Sequence, residues 1–86
     1  MKVNFKELEV YTSIKKDKTE KVDVSFLIAD AIYQNFGGLV ARSLAYKIYE
    51  QGEVDLNDKE VEFLDKASDG FVGVLADSIK KRLKGI

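Results

Sequence analysis

The chain contains no cysteine, no histidine, no proline and no tryptophan. Without cysteine there is no disulfide, no thiolate metal site and no cysteine nucleophile, and the redox compartment leaves no mark on the sequence. Without histidine the commonest general acid-base group and the commonest metal ligand are missing, so neither an enzyme nor a metal or cofactor site is expected. Without proline no rigid linker is signalled. No apolar run approaches the roughly 18 to 20 residues of a membrane span, and the N-terminal MKVNFKELEV lacks the apolar segment of a signal peptide. A cytoplasmic protein with no membrane partner is the expectation. A formal net charge of −1 supplies no global field for nucleic acid, so such a contact would have to come from a local patch.

What the sequence does hold is an ordinary globular mixture, 45% apolar and 34% charged over 86 residues, enough for one domain over 1–86 and its own core. From Val3 to Val24 the pattern is a β-hairpin: Leu8, Val10, Thr12 and Ile14 alternate, as do Val22 and Val24, about a turn at Lys15 to Lys18. No Asn-Gly or Gly-Gly pair marks a two-residue turn, so a longer loop is expected. Val3 and Phe5 fall out of phase with Leu8, which predicts a bend or bulge near Lys6 and Glu7.

Ser25 is placed to cap a first helix running through FLIADAIYQN to Gly37 and Gly38. On a helical wheel Leu27, Ile28, Ala31 and Ile32 share one face while Phe26 and Tyr33 lie on another, so cover from more than one side is expected. A second helix runs from Leu39 to Gly52, with Ala41, Leu44, Ala45 and Ile48 as its core stripe. After a short alternating segment around Val54 and Leu56, Asn57 and Glu60 have the spacing of a capping box. One helical phase then links Val61, Leu64, Ser68, Phe71, Val72, Leu75, Ile79 and Leu83, which predicts a single helix bent at Gly70 and Gly73. The fold class is α+β: an N-terminal hairpin and a short third strand near Val54, packed against three helices.

Chemistry-bearing patterns are few. Setting Gly52 as the sixth position of a calcium loop puts Asp58 at the twelfth, but Lys47, Tyr49 and Gln51 fall on the earlier ligand positions, and Gly52 and Asn57 are better read as a helix stop and start. Ser13, Ser25, Ser43, Ser68 and Ser78 have no histidine to activate them. Asp30, on an apolar helix, is the carboxylate whose ionisation burial would perturb most, against the ordinary reading of a surface acid. Glu50, Glu53, Asp55, Asp58, Glu60, Glu62, Asp65 and Asp69 form an acidic stretch in which Asp58 and Glu60 suit a helix N-terminus.

Two basic clusters, Lys15, Lys16, Lys18 and Lys21 at the hairpin tip and Lys80, Lys81, Arg82 and Lys84 in the tail, could together grip phosphate. They also suit, respectively, an edge strand protected from pairing and a helix C-terminus, and no helix-turn-helix, finger or stacking platform accompanies them. The remaining excess is aromatic: Phe26 and Tyr33 on the back of the first helix, Tyr46 and Tyr49 beside Arg42 on the second. Tyrosine and arginine are enriched at interface hot spots, and in so small a chain the same residues can complete a core.

The succession VNFKELEV, EKVDVS, ADAIYQN and LAYKIYEQGEVDLNDKEVEFL resembles small uncharacterised proteins encoded in phages and prophages of gut bacteria. The resemblance covers most of the chain and implies a phage-related accessory protein in the host cytoplasm, with no activity or ligand attached. The combined expectation is a non-catalytic protein-protein interaction or self-assembly module. Its partner is a second copy in a two-fold dimer, or another protein, and its interface is Phe26, Tyr33, Arg42, Tyr46 and Tyr49. The alternative is a small nucleic-acid-binding accessory protein using the lysine clusters.

Overall fold

The first strand, β1 (Lys2–Asn4), ends at once because Asn4 turns the chain. Its Oδ1 accepts from the Lys6 amide at 3.0 Å and its carbonyl accepts from the Glu7 amide at 3.3 Å, the local hydrogen bonding by which asparagine favours turns. The bend expected near Lys6 and Glu7 is this turn. It sends β1 and the next strand into different sheets in the computed structural model, which describes residues 1–84.

β2 (Leu8–Tyr11) pairs antiparallel with β3 (Thr19–Val22), Leu8 opposite Val22 and Tyr11 opposite Thr19. β1 pairs antiparallel with β4 (Glu53–Asp55), Val3 opposite Val54. The hairpin therefore starts at Leu8 rather than Val3, and the expected strand near Val54 completes a second two-stranded sheet. The loop between β2 and β3 is long, as its sequence predicts: Thr12 N donates to Lys18 O at 3.2 Å, and Lys16 sits in the left-handed region at φ 58°.

Helix α1 (Ser25–Asn35) buries Ser25, Ile28, Ala29 and Ile32. Ser25 is its first residue and not the cap. Asp23 Oδ1 accepts instead from Ser25 Oγ at 2.7 Å and from Ser25 N at 3.1 Å, and these two bonds, the hydroxyl first, hold the Asp23 carboxyl below its usual range. The core face is also rotated from the expected one: Ala29 is buried while Leu27 is more than half exposed. An apolar residue at nearly every position leaves α1 little periodic contrast from which to read its inner face.

Helix α2 (Leu39–Gln51) buries Ala41, Leu44, Ala45 and Ile48, the stripe its spacing predicts. Gly52 stops it at φ 74°, donating to Ile48 O at 3.0 Å and accepting from Phe5 N at 2.9 Å. A side chain at this position would set its Cβ 2.6 to 2.7 Å from Cγ, Cδ and Cε of Lys6, an exposed side chain free to shift, so it is the left-handed conformation that calls for glycine.

Helix α3 (Asp58–Ala67) opens with the capping box: Asn57 Oδ1 accepts from Glu60 N at 2.8 Å and Glu60 Oε1 accepts from Asn57 N at 3.0 Å. The single bent helix expected beyond it is two helices. A 3₁₀ turn at Ser68–Gly70 and an extended Phe71-Val72 link separate α3 from α4 (Gly73–Leu83), so four helices replace three. Ser68 Oγ donates to Asp65 O at 2.6 Å, a side-chain bond that competes with the helical ladder next to two weak helix formers, Gly70 and Gly73. Val72, counted on the single helical phase, lies exposed in the link, while Lys80 Nζ reaches back to Asp65 O at 3.1 Å and to Asp69 Oδ1 at 3.1 Å, holding α4 to the end of α3.

Phe5, Ile28, Ile32, Leu44, Ile48, Leu64 and Ile79 are the large, fully buried side chains at the centre. α4 packs on the hairpin, and α1 lies beside α2. No helix among the described residues is long and apolar enough to cross a membrane.

Candidate functional site

α1 and α2 each bury one stripe and turn a second outward. On α1 that outer stripe carries Phe26 and Tyr33, and on α2 it carries Arg42, Tyr46 and Tyr49. All five sequence-nominated interface residues are exposed, the four aromatics between 48% and 64%. Neither Phe26 nor Tyr33 packs beneath the hairpin.

The two helices bring these rings together in pairs. Phe26 meets Tyr49 with ring centroids 6.1 Å apart, and Tyr33 meets the edge of Tyr46 at 5.9 Å, both within the favourable range for aromatic contact. Between the pairs runs a shallow groove floored by Ala29 and Ala45 and walled by the aromatics and Asp30. The alanines are what make it a groove, because small side chains let the rings stand above the helix-helix seam. Asp30 is half-buried at its margin, where Oδ2 accepts from Gln34 Nε2 at 2.8 Å.

Electrostatics single out Tyr46. Hydrogen bonding and charge from the Tyr33 hydroxyl push its phenol above the ordinary 10.0, and desolvation and the Glu50 carboxylate add to this, while Arg42 opposes it. The phenol is thus neutral near neutral pH and flanked by one cation and one anion. Sequence reasoning did not single out Glu50, although its spacing of four residues from Tyr46 was readable.

The lysine clusters meet a different fate. The hairpin and α4 do come together: Tyr11 N donates to Ser78 Oγ at 2.9 Å, and Lys16 and Lys81 sit 5.8 and 5.3 Å from the centre of the Tyr11 ring. Part of their charge is engaged within the chain. Lys16 pairs with Asp77 at 3.1 Å, Lys80 with Asp65 and Asp69, and Arg82 Nη2 donates to the Lys2 carbonyl. The adjoining groove mixes Lys2, Lys21, Lys81 and Arg82 with Glu7, Glu9 and Glu53. Lys15, Lys18, Lys21 and Lys84 are exposed, and neither they nor Lys81 enter an ion pair among the described residues.

The calcium-loop region holds a structural corner. Glu60, only 4% exposed, spends one carboxylate oxygen on the Asn57 cap and the other on Lys47 Nζ at 3.1 Å. Among the described residues no group of three or more acidic side chains is placed to hold a metal ion. No protein-family model matches the chain, and no curated protein or solved structure matches it significantly.

Proposed function

We propose that the protein is a non-catalytic interaction module that self-associates through the α1–α2 aromatic face. The observation that carries this reading is the concentration of Phe26, Tyr33, Tyr46 and Tyr49 on one exposed face, paired across a groove, while the core beneath is complete without them. Contiguous exposed apolar patches of this kind mark contact sites, and aromatic residues dominate their energetics. Tyrosine suits the role because its ring contributes area and its hydroxyl stays hydrated in the free chain. The resemblance to phage and prophage proteins supports an accessory role in the host cytoplasm.

Light scattering across a concentration series tests the reading. A mass that rises from 9.7 kDa toward twice that value by about 100 micromolar supports it, and a mass constant at the monomer value sinks it. Titration with duplex and single-stranded DNA at low salt tests the nucleic-acid alternative, against which the net charge of −1 weighs. Binding no tighter than the micromolar non-specific range is expected, and tight, salt-sensitive binding would favour the alternative.

A further inference from the structure

A charge pattern runs along α2 beside the aromatic face. Arg42, Tyr46 and Glu50 follow one another at steps of four residues, which makes them successive neighbours along one ridge of the helix. A cation stands one turn before Tyr46 and an anion one turn after it. The spacing within α2 sets them one turn to either side of that ring. Both side chains are exposed, and neither enters an ion pair among the described residues.

We infer that the α1–α2 face receives a second copy of this chain, α2 lying antiparallel on the partner's α2 about a two-fold axis at Tyr46, with Arg42 paired to the partner's Glu50. This rests on the self-association reading above and adds the orientation of the partner to it. A two-fold axis crossing α2 at Tyr46 reverses the order of the ridge, so the positive end of each copy meets the negative end of the other, twice per dimer. A parallel arrangement would oppose arginine to arginine and glutamate to glutamate. Isologous contacts of this closed kind require a self-complementary patch, and a ridge of opposite charges about a central tyrosine is self-complementary in one orientation only. Charge complementarity at the rim chooses that orientation, while the rings supply the buried area.

Sedimentation equilibrium on charge-reversed chains decides it, with circular dichroism confirming that each variant is folded. Arg42→Glu alone and Glu50→Arg alone should each raise the dimer dissociation constant by about tenfold, because each homodimer then juxtaposes like charges twice. An equimolar mixture of the two variants should recover wild-type affinity as a heterodimer, and so should the double variant R42E/E50R in a single chain. If wild type dimerises but neither reversal weakens it, or if both weaken it and neither the mixture nor the double variant recovers, the antiparallel pairing is wrong and self-association stands. If wild type is monomeric throughout, the self-association reading has failed and the pairing falls with it.

Discussion

Tyr33 on α1 and Tyr46 on α2 meet edge to face across the seam of the two helices, with ring centroids 5.9 Å apart. Both rings stand on the solvent side of a seam whose inner side is already filled by Ile32, Ala45 and Ile48. Tyr46→Ala and Tyr49→Ala should therefore leave the midpoint of urea unfolding of the monomer nearly unchanged, since surface substitutions seldom move it far. Each should also weaken self-association by roughly tenfold, as truncation of a hot-spot tyrosine does. A large fall in monomer stability with unchanged association would show that the rings serve the fold.

Glu60 is a second point where one side chain joins several elements. Its carboxylate accepts from the Asn57 amide at 3.0 Å and from Lys47 Nζ at 3.1 Å, linking the start of α3 to α2. Glu60→Ala removes both acceptors from a buried position and should cost about 1 to 3 kcal/mol. Asn57→Ala should cost about 1 kcal/mol. Because the two residues complete one reciprocal cap, the double variant should lose less than the sum of the single losses, measured by urea denaturation. Strict additivity would mean that the cap does not act as a unit.

Gly52 and Asn57 were legible in the sequence because their roles are local: one stops a helix in a left-handed conformation, the other caps the next through residues three positions away. The α2 stripe was legible for a related reason, because polar residues between Ala41, Leu44, Ala45 and Ile48 give it contrast. Three features were hidden because each depends on a distant partner or on contrast the sequence lacks. β1 leaves its neighbour β2 for β4 across most of the chain, which no local pattern encodes. The break between α3 and α4 falls where the sequence pattern continues unbroken, and the exposure of Val72 that betrays it is visible only in the packing. On α1 the buried Ala29 and the exposed Leu27 were interchanged because apolar residues surround the helix. At the candidate site the wheel placed the aromatics off the core stripes, but their pairing across the groove needed the packing of α1 on α2, and the Lys16–Asp77 ion pair needed α4 to lie on the hairpin.

A buried hydroxyl joins the hairpin to α4, beside the Lys16–Asp77 ion pair. Ser78 Oγ accepts from Tyr11 N at 2.9 Å while donating to Val74 O at 2.5 Å. Ser78→Ala leaves the Tyr11 amide without its acceptor and should cost about 1 to 3 kcal/mol. Native-state hydrogen exchange is the sharper readout: the Tyr11 amide should lose protection in the variant while the amides of α2 keep theirs, because local opening draws on local contacts. Protection at Tyr11 unchanged from wild type would show that the bond does not hold the hairpin down.

Gly52 makes a separable steric argument. Its φ of 74° disfavours any L side chain, and a Cβ would also press on Lys6. Gly52→Ala should cost about 1 to 3 kcal/mol. Combining it with Lys6→Ala removes the methylenes in the way but not the backbone strain, so the double variant should recover only part of the loss. Full recovery would assign the whole cost to the clash.

Lys80 gives the fold a pH dependence whose sign can be derived. Its ammonium donates to Asp65 O at 3.1 Å and lies 3.1 Å from Asp69 Oδ1 and 3.3 Å from Asp65 Oδ1. The hydrogen bond to Asp69, foremost, raises its pKa above the ordinary 10.5, with Asp65 adding to this and desolvation opposing it. A cation whose folded-state pKa lies above its unfolded value stabilises the fold fully below the unfolded value and loses that contribution as pH rises through the folded one. Lys80→Met keeps most of the apolar stem and removes the charge. The wild type should therefore melt above the variant at about pH 8, and the gap between the two melting temperatures should close at a pH above the raised folded-state value. Circular dichroism melts at the two pH values measure the gap directly. A gap that persists undiminished at high pH would assign the role of Lys80 to its methylene stem, and no gap at about pH 8 would show that α4 is held to α3 by packing alone.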